Sequence, residues 1–151
     1  MKTIYFSCLL MLIFATPMFG RTPYAVNDKV LKNFKETFPE VQQPVWNSYD
    51  SYYEVYFTKP DRTSYRIDYN FDGEVTRSFR YYDEASLSPF IKAKVNERYP
   101  GKKISGITEI SSNAEFYYYI ILEDGKNIYN IKSDATGNIY LEKRLTKSLW
   151  P

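Results

Sequence analysis

The stretch VLKNFKETFPEV, residues 30–41, has a counterpart in FIKAKVNERYPGKKI, residues 90–104, and that pairing decides how the rest of the chain is read. Each is a charged amphipathic segment ending in aromatic–proline, Phe38-Pro39 in one and Tyr99-Pro100 in the other. Further on, YNFDGEV (69–75) matches SDATGNI (133–139), aligning Gly73 with Gly137 and Val75 with Ile139. Phe38 to Tyr99 is 61 positions and Gly73 to Gly137 is 64, so a loop insertion of about three residues reconciles the two offsets. Matched segments in the same order at nearly the same spacing are the mark of an internal repeat. Two copies of one unit are expected, over residues 26–82 and 85–147.

Within the first copy, Asn27 or Asp28 can cap a helix whose apolar residues Val30, Leu31, Phe34 and Phe38 share one face at 3.6 periodicity. Pro39 ends it, because the residue before a proline is pushed out of helical space. Period-2 alternation follows: Tyr53, Val55 and Phe57 against Tyr52, Glu54 and Tyr56, then Tyr65, Ile67, Tyr69 and Phe71 against Arg66, Asp68 and Asn70. Lys59-Pro60-Asp61 and Asp72-Gly73 are turns, the second a tight hairpin signal. Another strand carries Val75, Phe79 and Tyr81.

The second copy opens on Ser88 as N-cap with Pro89 at the first helical position, and Phe90, Ile91, Val95 and Tyr99 form its buried stripe. Strands are expected near 103–110, 115–123, 127–133 and 138–147, with turns at Asp124-Gly125 and Thr136-Gly137. Each half is thus a helix followed by about four antiparallel strands, an α+β pattern in which short connections pair sequential strands and the helix covers one sheet face. Nothing in the sequence is assigned to the other face.

Aromatic residues are abundant, with 16 Tyr, 10 Phe and 2 Trp in 151 residues. Tyrosine suits half-buried pleated surfaces, so a sheet with one face in the core accounts for them; an exposed aromatic binding face is the other reading. In Phe116–Leu122 both faces are apolar or aromatic, the pattern of a central strand covered on both sides or one that meets a partner.

The N-terminus addresses the chain for export. Lys2 precedes an almost unbroken apolar run, Ile4 to Ala15, then Pro17 and the small residue Gly20, the anatomy of a signal peptide over residues 1–20 cleaved near Gly20. The run is shorter than the ~20 residues a spanning helix needs, so no stable membrane insertion is expected after cleavage. With the leader goes the single cysteine, Cys8, and the chain has no histidine. These absences exclude Ser-His-Asp and Cys-His nucleophile systems and any zinc site built on histidine or thiolate. No phosphate-cradling glycine motif is present. The net charge of +2 drops to +1 once Lys2 is removed, which gives no argument for nucleic acid. A carboxylate pair such as Asp68 and Asp72 is more simply two solvated acids, and Asp72-Gly73-Glu74 lacks the alternating ligands of a calcium loop. No catalytic residue, metal or cofactor is expected.

Two clusters invite a binding reading. Asn47–Tyr53 is a polar turn with aromatics on both sides and Trp46 just before it, and residues of this kind dominate recognition energy. A plain hairpin closed by Asp50 and Ser51 also explains it. Arg77, Arg80, Tyr81 and Tyr82 lie near the junction of the halves and suit a contact between them or an acidic ligand.

A helix ending in Phe-Pro, then Trp46, the aromatic strand YYEVYF (52–57) and YNFDGEV (69–75), with the pattern repeated, resembles the PepSY-like proteins of Bacteroidetes-type bacteria, whose fold is similar to that of β-lactamase-inhibitor protein (BLIP). The resemblance covers about residues 26–147. It implies a periplasmic or secreted α+β domain, two tandem repeats forming one curved sheet flanked by helices, and an inhibitor-like role in which a sheet presents aromatics and a hairpin plugs an enzyme with an acidic side chain. By position the Asp50 turn looks like that hairpin. The expectation is therefore a non-enzymatic binding module that engages a protein or peptide, as an inhibitor or regulator of an envelope enzyme or peptidase, through Trp46, Tyr49, Asp50, Tyr53, Tyr56, Tyr117 and Tyr119. A small-ligand carrier or envelope stress protein stays open as the alternative.

Overall fold

The computed structural model describes residues 25–147, so the expected leader over residues 1–20 lies outside the described residues. Helix α1 (Asp28–Thr37) begins where Asn27, in extended backbone, accepts the Val30 N–H on its side-chain oxygen at 2.9 Å. It buries Val30 and Phe34, one turn apart on one face, and Phe38 closes it. Four strands follow: β1 (Val45–Ser48), β2 (Tyr53–Thr58), β3 (Ser64–Tyr69) and β4 (Val75–Tyr82). After a short 3-10 turn at Glu84–Ser86 come α2 (Pro89–Arg98), β5 (Lys103–Ser112), β6 (Phe116–Glu123), β7 (Asn127–Asp134) and β8 (Ile139–Thr146). The order is helix then four strands, twice.

Among the described residues all eight strands join one antiparallel sheet in sequence order, β1 to β8. Short connections dictate this, since each strand can reach only its neighbour. Directly paired residues share a face, so the register locates both helices. α1 packs on Tyr53, Val55 and Phe57, which pair with Tyr69, Ile67 and Tyr65. From Ile67 and Tyr65 the same face runs through Ser78 and Arg80 to Ser111 and Glu109, then to Phe116 and Tyr118. Tyr118 belongs to the core under α2, with Ile91, Val95, Ile107, Ile120, Leu122 and Ile131. Both helices therefore cover one face, and no described element covers the other. The two apolar clusters are separated by a polar seam of Ser78, Arg80, Glu109 and Ser111.

Several local expectations change. Ser88 makes no side-chain cap bond at the start of α2. Phe90 is exposed rather than part of the buried stripe; it lies over the β7–β8 turn, where a Cβ on Gly137 would meet its ring at 3.1 Å. β6 is interior to the sheet yet covered on one side only, alternating buried Tyr118, Ile120 and Leu122 with exposed Tyr119 and Ile121. Trp46 sits in a strand, β1, whose four residues are too short a run for alternation to reveal.

The turns after β3 and β7 are built alike. In one, Asn70 Oδ1 accepts the N–H groups of Asp72 and Glu74. In the other, Asp134 Oδ1 accepts those of Thr136 and Asn138. Gly73 and Gly137 complete them at φ of +82° and +83°, a region open to glycine at no steric cost. Each turn tucks against its own helix. Asn27 Nδ2 donates to the Phe71 carbonyl at 2.9 Å and Asn33 Nδ2 to the Gly73 carbonyl at 2.8 Å.

Candidate functional site

The helix-free face is made of rows of side chains that the register sets side by side. One row runs Val45, Tyr56, Arg66, Phe79, Ile110, Tyr117 and Asp134, a residue from each of the first seven strands. The next runs Thr58, Ser64, Tyr81, Thr108, Tyr119, Lys132 and Tyr140. Tyr56, Tyr81, Tyr119, Ile121 and Tyr140 are all exposed, Tyr140 most of them at 58%. Exposed aromatics spread across a sheet face that no described element covers make this the candidate binding surface.

At the β2–β4 end the face is electrostatically closed. Glu54 and Asp68, the second expected to be solvated, are only 4% and 3% exposed. Paired directly across β2 and β3, they are roofed by long neighbours. Arg77 reaches Asp68 Oδ2 through Nε at 2.9 Å and Nη2 at 2.8 Å. Arg66 lies between both acids, 3.3 Å from Glu54 and 3.8 Å from Asp68, with its guanidinium 3.7 Å above the Phe79 ring. Asn47 and Tyr49 donate to Glu54 Oε1 at 3.3 and 3.1 Å. The Tyr49 phenol is held above its ordinary pKa by that bond to a carboxylate. Two buried acids so compensated are a structural network rather than a free acid–base pair. Asp72 does not join Asp68: it sits in the β3–β4 turn with Lys29 of α1 at 3.4 Å, on the helix side.

The fold divides the residues singled out from sequence. Tyr56, Tyr117 and Tyr119 stand on the helix-free face. Tyr49 extends it at the β1–β2 hairpin, stacked on Tyr52 at 4.5 Å, and Asp50 projects beside it as one of the two residues between them. Trp46 and Tyr53 point the other way. Trp46 meets Phe34 of α1 edge-on at 5.3 Å, and Tyr53 is buried in the same cluster. The helix-free face also contains Tyr81, Ile121 and Tyr140, which alternation could flag only as one of two faces. Of the junction cluster, Arg80 and Tyr82 reach Glu109 of β5 on the helix side, at 2.8 and 2.9 Å, while Arg77 and Tyr81 face away.

Two shallow hollows, of about 350 and 400 Å³, lie at Glu40–Gln43 with Phe57–Pro60 and along the outer side of α1; the first reaches the second row only at its edge residue Thr58, and neither is lined by a tyrosine. Among the described residues no group of three or more acidic, histidine or cysteine side chains is placed to hold a metal. No helix there is long and apolar enough to cross a membrane.

A BLIP-like protein of Bacteroides fragilis superposes with a TM-score of 0.62, over 84% of this chain and 94% of that one, at 14% identity. The chain has a BLIP-like fold. A DUF2874 family protein of Bacteroides ovatus shares it (TM-score 0.60, 17% identity, 84% of this chain and 89% of that one). So does a Bacteroides eggerthii protein provisionally described as periplasmic (TM-score 0.61, 12% identity, 81% and 89%). No family model matches the sequence. Nor does any curated protein match it. At these identities the BLIP-like likeness concerns backbone architecture alone.

Proposed function

We propose that the chain is a non-enzymatic periplasmic or secreted binding module that engages a protein through the helix-free face of its sheet, restraining or regulating an envelope enzyme or peptidase. The carrying observation is that this face displays Tyr56, Tyr81, Tyr119 and Tyr140 exposed and uncovered, while both helices lie on the opposite side. Tyrosines supply large rigid contact area at low entropic cost, which is why they concentrate the energy of protein interfaces. The leader-like N-terminus and the fold shared with a protein provisionally described as periplasmic support the location. The binding set becomes Tyr49, Asp50, Tyr56, Tyr117 and Tyr119, extended by Tyr81 and Tyr140; Trp46 and Tyr53 support it from beneath α1.

A photo-crosslinking amino acid at Tyr119 or Tyr81, in the full chain exported by cells that make it, is expected to trap a discrete partner. The same group at Glu97 on the outer side of α2 is expected to trap none. Equal trapping from both faces, or none from either tyrosine, overturns the reading.

A further inference from the structure

Two rows of the helix-free face carry the same aromatic–cation–aromatic triplet on corresponding strands. Tyr56, Arg66 and Phe79 sit side by side on β2, β3 and β4. Tyr119, Lys132 and Tyr140 sit side by side on β6, β7 and β8. The triplets differ in what neutralises the cation. Glu54 and Asp68 flank Arg66 in the first. In the second, Lys132 has no carboxylate within ion-pair distance among the described residues, and its ammonium rests 3.9 Å from the centre of the Tyr117 ring. One row along, where Glu54 and Asp68 stand in the first half, the second half has Tyr117 and Asp134, and on the other side of the triplet lie Ile121, Asn130 and Lys143, another cation without an ion pair among the described residues.

The acids nearby are committed or displaced. Asp134 Oδ1 accepts from Thr136 and Asn138 and its Oδ2 from the Asn138 amide, and these bonds hold its carboxyl at about 2. Glu123 is held by Lys147 at 2.8 Å. Glu142 lies at the register break between β7 and β8, outside the paired rows. Cations beside three tyrosines, with no carboxylate within ion-pair distance among the described residues, form a surface complementary to negative charge, and complementarity of this kind selects a partner more than it adds raw affinity.

We infer that this end of the face docks an acidic segment of a protein partner, a carboxylate meeting Lys132 and Lys143 while neighbouring apolar or aromatic side chains pack on Tyr119 and Tyr140. This deepens the proposed function and rests on it. A protein segment fits better than a small acid because the two hollows lie elsewhere and the site is an open row rather than an enclosure.

The test uses the full chain and three fluorescein-labelled peptides of equal length, built on repeating Glu-Ser-Tyr, Gln-Ser-Tyr or Lys-Ser-Tyr units, read by anisotropy. The Glu peptide is expected to bind about tenfold tighter than the Gln peptide at low salt, with the advantage shrinking as ionic strength rises. Lys132→Glu and Lys132→Gln, each checked for an unchanged melting temperature, are expected to abolish that advantage. Tyr119→Ser is expected to weaken the Glu and Gln peptides alike. Equal binding of Glu and Gln peptides, an advantage that survives Lys132→Gln, or no binding by any peptide overturns the inference. If Tyr119→Ser weakens both peptides while the lysine variants change neither, the binding face stands and only its acidic partner falls.

Discussion

Arg80 Nη1 lies 2.8 Å from Glu109 Oε1, and this ion pair crosses from β4 to β5 in the polar seam between the two apolar clusters. Tyr82 donates to the other oxygen of Glu109 at 2.9 Å. Together they join the last strand of the first half to the first strand of the second.

Removing Glu109 should therefore cost more than an ordinary surface pair. Glu109→Ala leaves Arg80 and a half-buried phenol without their acceptor, a loss of about 1–3 kcal/mol. Because Arg80 is more than a third exposed, solvent screening places the effect toward the lower end. Urea denaturation should show it, and Arg80→Met with Glu109→Leu should recover most of it by replacing the pair with apolar contact.

Tyr69 is 1% exposed and its hydroxyl has no hydrogen-bond partner among the described residues. Tyr69→Phe should hold or raise stability, by about 1 kcal/mol, since an unsatisfied buried hydroxyl is lost. The variant should also resist alkali better. Burial pushes the Tyr69 phenol up to about 12, whereas in the unfolded chain it titrates near 10. A pKa raised by folding gives stability that is complete below pH ~10 and lost as pH climbs toward the folded value, at about 1.4 kcal/mol per pH unit for this group. Tyr82, raised first by burial and then by Glu109, acts in the same direction. Urea titrations at neutral pH and near pH 11 should show wild type losing more stability than Tyr69→Phe.

Glycine substitutions separate backbone strain from contact. Gly73→Ala should cost most: φ is +82°, and the new Cβ would meet the Asn33 amide at 2.8 Å and dislodge its bond to the turn. Gly101 has a φ of +73° with nothing within 4 Å, so Gly101→Ala should report the left-handed penalty alone, about 1–2 kcal/mol. Gly125→Ala, free of both, should be close to neutral. Melting temperatures in the order Gly125→Ala, Gly101→Ala, Gly73→Ala, highest first, are expected; any other order contradicts this assignment.

The two helix starts should also respond unequally. Asn27→Ala removes both the cap bond to Val30 and the bond to the Phe71 carbonyl, a cost of about 1–2 kcal/mol. Ser88→Ala removes no cap bond and should fall within a few tenths of a kcal/mol of wild type. Circular dichroism melts of the pair decide it.

Helix ends and hairpins were legible because their signals are local. Asn27 before an amphipathic run, Pro39 after it, and glycines at positive φ in the turns are read from adjacent residues. Period-2 alternation likewise separated Val55 and Phe57 from Glu54 and Tyr56. It could not say which set the helix would cover. Trp46 and Tyr53 consequently fell on the wrong side of the candidate binding surface, and Tyr140 was missed because IYLEKRLT alternates poorly around the β7–β8 register break.

Asp68 shows the same boundary in charge rather than shape. A lone acid on an outward strand position reads as solvated, and its burial depends on Arg66 and Arg77, which only strand pairing brings alongside. Local sequence thus set the elements and their order, since each depends on residues within a few positions of one another. Which face carries the helices, which acids are neutralised and which lysines stay unpaired depended on register across strands distant in sequence, and register exists only once the sheet has formed.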